Sequence, residues 1–349
     1  MPDKVKAAVL YGPRDLRFEE ITVEPPGAGE ALLKVKTVGV CGSDLHYYTQ
    51  GRVGKRVVDK PQILGHEYAA EVVELGTGVR NLDVGDLVTV EPSVPCGACG
   101  YCLGGHYNLC RDMVFHGTPG APGALRQFLN FRAENIYRVP EGLSSDQAVM
   151  TEPLSVAVHS VRRGGVTGGH SVAVLGTGPI GLLIMMAARA WGSGQVYTTE
   201  INRSRLQKAR ELGADYSVDS TESDPVQEIL DRTSGLGVDV VFEAAGQPET
   251  AQQALDIVKP GGVVVLVGMA EQDVIGLRLI DAIFKEIDIR TQCRSLHSFD
   301  TALEMMARGA VAAGKLVTHR FPFHRLEDAF ELVAAKADGV VKAVVDLEV

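Results

Sequence analysis

Ser171–Ala188 reads SVAVLGTGPIGLLIMMAA, and the fold turns on how those 18 residues are divided. The run carries no charge and nominally has the length of a membrane span. Gly176, Gly178, Pro179 and Gly181 break it into a five-residue apolar strand, a turn and a helix running on to Trp191. The same alternation continues outward. Gln195–Glu200 (QVYTTE) predicts a strand and Arg203–Leu212 a helix. Val238–Gly246 (VDVVFEAAG) precedes a helix expected to end at Pro260-Gly261-Gly262, and Val263–Gly268 (VVVLVG) follows as a strand. Apolar strands joined by helices make an α/β unit with a doubly wound parallel sheet.

The turn Gly176-Thr177-Gly178-Pro179-Ile180-Gly181 fits G-x-G-x-x-G. Alone it is a weak signal, because glycine-rich βα turns are common. Here it follows a strand, opens a helix, and has Glu200 nineteen residues beyond Gly181 at the end of the next strand. Gly176 permits the tight turn, Gly178 lets backbone approach a pyrophosphate, and Gly181 lets helix and strand pack closely. The pyrophosphate then lies on the helix N-terminus at Pro179 and Ile180. Glu200 is expected to accept hydrogen bonds from the adenosine ribose, which favours NAD over NADP. Arg203 and Arg205, just past that strand, keep a 2′-phosphate in play.

The first 150 residues have another texture. Ala31–Val38, Tyr68–Leu75 and Asp86–Val90 are short β-branched stretches between Gly/Pro/Asp clusters, the pattern of an all-β barrel or sandwich. The last fifty residues return to it with KLVTHRFPF and VVKAVVDLEV, so the parallel unit is read as inserted in a discontinuous β-rich domain. A length of 349 residues suits two domains. The net charge of −10 argues against nucleic acid as a partner. The charged start, MPDKVKAAVL, lacks the apolar core of a signal peptide, and a cytoplasmic protein is expected.

Cys96, Cys99, Cys102 and Cys110 read C-x2-C-x2-C-x7-C, with four glycines between them. Four thiolates so close suit one tetrahedral structural zinc. Two disulfides are the alternative, disfavoured in a large chain of only six cysteines. A closed four-thiolate site does no chemistry. Other ligand types stand at Cys41 (in Cys41-Gly42-Ser43-Asp44-Leu45-His46-Tyr47), at Gly65-His66-Glu67, and at Glu152 in Thr151-Glu152-Pro153. Singly, each has an ordinary explanation as a buried thiol, a core histidine or a helix-start acid. Together, and beside a dinucleotide turn, thiolate, imidazole and carboxylate suit a zinc with one position left open for an alcohol oxygen.

The segments Gly39–Gly54 (GVCGSDLHYYTQGRVG), Ile63–Val79 (ILGHEYAAEVVELGTGV), the four-cysteine lobe, Met150–Val166 (MTEPLSVAVHSVRRGGV) and the Gly176–Gly181 turn resemble the zinc-dependent medium-chain alcohol dehydrogenases, and within them the sorbitol (polyol) branch. The resemblance covers nearly the whole chain. It implies a GroES-like catalytic domain over 1–155 and 297–349, carrying the zinc lobe 93–112, and a Rossmann domain over 156–296, with the active site in the cleft between. It implies two zinc ions per chain, NAD, a polyol oxidised at a secondary hydroxyl to a ketose, and a homotetramer. By the same resemblance Cys41, His66 and Glu67 are zinc ligands, and Glu152 binds the metal directly or through its water. Ser43 and His46 form a proton relay. Tyr47, Phe115, Glu152 and Arg294 line the substrate pocket, and Val267, Arg205 and Arg294 contact the cofactor.

Three departures stand out. Ala70 replaces an expected glycine, the four-cysteine lobe is complete where animal members lack it, and Ser295 and His297 stand where polyol enzymes carry an aromatic and an amide. The last of these leaves threonine, butanediol or another secondary alcohol as alternatives.

Overall fold

The computed structural model describes residues 4–270 and 272–348. They form two compact units. Of the described residues, one comprises 4–152, 302–307 and 313–348, and the other 153–270, 272–301 and 308–312.

The first unit is built on a seven-stranded sheet. Its path runs Ile136–Arg138, Leu87–Val90, Glu67–Leu75, Glu30–Gly39, Lys342–Asp346, Val317–Pro322, and Phe128–Arg132 also pairs with Glu30–Gly39. Alternation along Glu30–Gly39, offset by an irregularity between Val35 and Thr37, puts Leu33, Val35 and Val38 into a core shared with Tyr68, Ala70, Val72, Val88 and Phe131. The methyl of Ala70 is accommodated there without exposure. In register, Gly39 pairs with Glu67 on one side and with Val344 on the other. The strands therefore bring Gly39, Glu67 and the start of Lys342–Asp346 to one end of the sheet.

The second unit has six parallel strands in the order Tyr216–Asp219, Val196–Glu200, Val172–Leu175, Val238–Glu243, Val258–Leu266, Asp288–Thr291. In chain order this is 3-2-1-4-5-6, the dinucleotide-binding arrangement. Val172–Leu175 and Val196–Glu200 are wholly buried, as central parallel strands covered on both faces must be. Ser171–Ala188 resolves into the strand, the turn and the Pro179–Ala190 helix. No helix among the described residues is long and apolar enough to cross a membrane.

One expected boundary is wrong. The Pro248–Ile257 helix stops at Val258, which is already extended, and Pro260, Gly261 and Gly262 lie inside the strand Val258–Leu266. Gly261 has φ +70°, and the pairing shifts register between Val238 and Val240. The Pro-Gly-Gly run thus marks an irregularity within a strand and not the helix end.

Candidate active site

In the first unit the Gly42–Gln50 helix starts directly after the Glu30–Gly39 strand, with Cys41 as its N-cap. Asp44, at the third helical position and 1% exposed, accepts from the Cys41 N–H (3.3 Å) and the Gly65 N–H (3.4 Å). One acidic side chain thereby ties the Cys41 segment to the Gly65-His66-Glu67 segment. Ligand atoms of Cys41, His66 and Glu67 all lie within 4.8 Å of one another. His66 Nδ1 is buried, makes no hydrogen bond, and faces Asp44 Oδ1 at 3.5 Å, an ion-pair distance when the imidazole is protonated. Burial lowers the imidazole's proton affinity, but the Asp44 and Cys41 charges prevail and raise it well above the ordinary value. A thiol, an imidazole and a carboxyl with ligand atoms this close fit one zinc with an open position, and Asp44 faces the imidazole at Nδ1.

Glu152 is outside that cluster of three. It is buried in the first turn of the Thr151–Gly164 helix. Burial first, then the neighbouring Glu67 and Glu91 charges, push its pKa up to about 7 against the pull of His66 and Lys342. Ser43 Oγ is 3.5 Å from Cys41 Sγ, and His46 stands one turn further along the same helix, half-buried. Phe115 packs edge-on against His66, with ring centroids 5.3 Å apart. Tyr47 is 1% exposed, and its acidity is weakened by burial.

The cysteine lobe gathers four free thiols with ligand atoms within 4.8 Å. Sulfur separations of 3.5 Å (Cys99–Cys102) and 3.9 Å (Cys96–Cys102, Cys99–Cys110) match the edge of about 3.8 Å for a tetrahedron with Zn–S bonds of about 2.3 Å. Backbone N–H groups, that of Cys102 foremost, pull the Cys99 thiol down to about 6. The six cysteines form no disulfide.

In the second unit the carboxyl ends of the central strands carry the cofactor candidates. Gly176 has φ +90°, and a Cβ there would meet Ala245 at 2.8 Å. A Cβ on Gly181 would overlap the Gly176 carbonyl. Gly178 differs: with φ −65° it caps the Pro179–Ala190 helix, and its Cβ direction is open except for Arg205 Nη1 at 3.9 Å. That open, cation-flanked helix start is a cradle that suits a pyrophosphate, and Ile180 sits in its first turn. Val267 follows the Val258–Leu266 strand, its N–H bonded to the Glu243 carbonyl at 2.9 Å. Arg294 has φ +56°, in a loop whose backbone carbonyl accepts from Gln292 Nε2 at 3.1 Å.

Glu200 is more occupied than expected. Oε2 accepts from Thr177 N (2.9 Å) and Thr177 Oγ1 (3.0 Å), and Oε1 from Ile201 N (2.9 Å) and Asn202 N (3.0 Å). A ribose hydroxyl must share or displace one of these four donors. The carboxylate therefore also fastens the glycine turn to the neighbouring strand.

Sequence reasoning missed three contributors: Asp44, Thr177 and Lys342. The ammonium of Lys342, the first residue of its strand, pairs with Glu67 Oε2. A lysine inside the apolar run VVKAVV was the available signal, because such strands seldom bury a charge without a partner.

Known proteins resemble this chain over nearly its whole length. The alcohol dehydrogenase GroES-like domain matches residues 27–141, and the zinc-binding dehydrogenase domain matches 179–308. The chain is 40% identical over 331 residues to sorbitol dehydrogenase of Bacillus subtilis (strain 168), covering 95% of this chain and 94% of the relative. It is 39% identical over 326 residues to sorbitol dehydrogenase of Homo sapiens, covering 93% and 91%. The crystal structure of 2R,3R-butanediol dehydrogenase from Bacillus subtilis superposes with a TM-score of 0.90 at 36% identity, covering 99% of this chain and 100% of that one. By these matches the chain belongs to the zinc-dependent medium-chain alcohol dehydrogenases, in the branch that contains the sorbitol dehydrogenases.

Proposed function

We propose that the protein is a zinc-dependent dehydrogenase that oxidises a secondary hydroxyl of a polyol to a ketose with NAD as hydride acceptor. The convergence of Cys41, His66 and Glu67 carries this reading, and identity near 40% to sorbitol dehydrogenases over almost the whole chain supports it. A catalytic zinc held by these three side chains would supply the Lewis acid that acidifies the hydroxyl, and the nicotinamide would take the hydride. The chain's own residues do the rest. Phe115 and Tyr47 keep bulk water from the ligand cluster, and Glu152 orients a hydroxyl beside it. Ser43 and His46, on one face of the Gly42–Gln50 helix, offer the proton a route outward. Gly178 and the Pro179–Ala190 helix bind the pyrophosphate, and Glu200 with Arg205 reads the ribose end. Val267 and Arg294 complete the cofactor and substrate contacts, and the four-cysteine lobe holds the second zinc.

The structural kinship with a butanediol dehydrogenase makes a small vicinal diol the second reading. A panel of sorbitol, xylitol, galactitol, arabinitol, threonine and 2,3-butanediol, each with NAD and NADP, decides between them. The polyol assignment fails if butanediol or threonine is turned over and no polyol is. Val274, Leu279, Ile280, Ile283 and Phe284 are exposed apolar residues of the second unit, and their burial between copies in a homo-oligomeric, tetrameric assembly is part of the proposal. Six free cysteines suit the reducing cytoplasm.

A further inference from the structure

Lys342 is 2% exposed, and among the described residues no other lysine or arginine is so deeply buried. An ammonium taken out of water is costly unless a close counter-charge receives it. Glu67, also 2% exposed, is that counter-charge. The fold builds the pair. Gly39 lies in register between Glu67 on one neighbouring strand and Val344 on the other. The ion pair reaches across the central strand where that strand has no side chain: a Cβ on Gly39 would lie 2.5 Å from Glu67 Oε2 and 3.0 Å from Lys342 Cε. The acidic groups facing Lys342 are Glu67, Cys41 and Glu152, all belonging to the proposed metal site.

We propose that Lys342 is the resident cation of the site, holding Glu67 and the ligand cluster assembled before zinc arrives and loosening the zinc once it is bound. The proposal rests on the assignment of Cys41, His66 and Glu67 as zinc ligands. An ammonium and a metal dication on the same carboxylate repel each other, so each matters most when the other is missing. By linkage, the stability that Lys342 gives the metal-free site is matched by weaker metal binding. Lys342 is thus a positioning residue that acts through Glu67 and touches no reacting atom.

The test is Lys342→Met, with zinc counted by atomic emission while a competing chelator is titrated in, and melting followed in the two-zinc and one-zinc forms. Retention of the catalytic zinc to at least tenfold higher chelator than wild type is expected, together with a wider melting gap between the two forms. Lys342→Arg should behave as wild type. An unchanged gap, or zinc lost at lower chelator, overturns the proposal. If Lys342→Met does not fold, Glu67→Gln is added to the same chain, removing the charge left without a partner. Recovery of folded protein then supports the idea, and continued failure refutes it. His66→Ala separates the two layers of inference: if that variant still holds two zinc ions, the ligand assignment is wrong whatever Lys342 does.

Discussion

Glu200→Gln tests how the cofactor turn is held. The two side chains have the same shape, but the carboxylate accepts four hydrogen bonds, two on each oxygen. A glutamine oxygen can serve only one of those pairs. Whichever way the amide is flipped, its NH2 faces either the Thr177 N–H and hydroxyl or the Ile201 and Asn202 N–H groups, donor against donor. At 9% exposure water cannot readily replace the lost acceptor. Hydrogen bonds to a charged group contribute about 1.5–3 kcal/mol each, so losing two removes at least about 3 kcal/mol. For a unit of this size that lowers the melting temperature by roughly 6–12 °C. Calorimetry without cofactor measures this, and fluorescence titration gives the dissociation constants for NADH and NADPH. The turn that carries the pyrophosphate is loosened, so both cofactors should bind more weakly, NADH more so. A melting point within about 2 °C of wild type, with NADPH binding tightened, would show that Glu200 only reads the ribose and fastens nothing.

Three further outcomes are expected. Burial raises the Asp239 pKa, but the Lys259 ion pair and the Ser171 hydrogen bonds outweigh it and bring it down to about 2. A carboxyl depressed in this way stabilises the fold above its ordinary value and loses that contribution as pH falls toward 2. Allowing for solvent at a side chain one-fifth exposed, Asp239→Asn should cost about 1–2 kcal/mol at neutral pH. Its melting curve should merge with wild type between pH 4 and pH 2, and a pH-independent difference would rule out the ionic origin. Gly39→Ala drives a methyl into Glu67 and Lys342, so a loss of about 1–3 kcal/mol and a zinc content falling from two ions toward one are anticipated by calorimetry and metal analysis. Cys99→Ser should leave one zinc per chain and lower the melting temperature, and a variant that keeps both ions would mean the lobe is not a metal clip.

Much of this was legible because chemistry and geometry share the same residues. The glycine turn, its flanking strand and the acid after the next strand can be read from spacing, since each spacing follows from a backbone constraint. Cys41, His66 and Glu67 could be named as metal-ligand types, but their meeting within 4.8 Å depends on strand register that no local pattern encodes. Lys342 illustrates the limit. It lies 275 residues from Glu67, and only the insertion of a whole second unit between them makes the pairing intelligible. Pro260-Gly261-Gly262 failed in the opposite way. Residues that usually stop a helix are here absorbed in an irregular strand, and local turn chemistry gave the wrong boundary. Short polar edge strands such as Asp288–Thr291 offered no apolar run to detect.

The three glycines of the cofactor turn answer to different judges. Gly176 and Gly181 are hemmed in by the chain itself, whereas Gly178 adopts a backbone any residue can take, beside open space. A library of variants selected only for a folded chain should therefore keep the outer two and let position 178 drift. One selected for turnover should keep all three. The difference between the two libraries would mark, from sequence counts alone, where the molecule ends and its ligand begins.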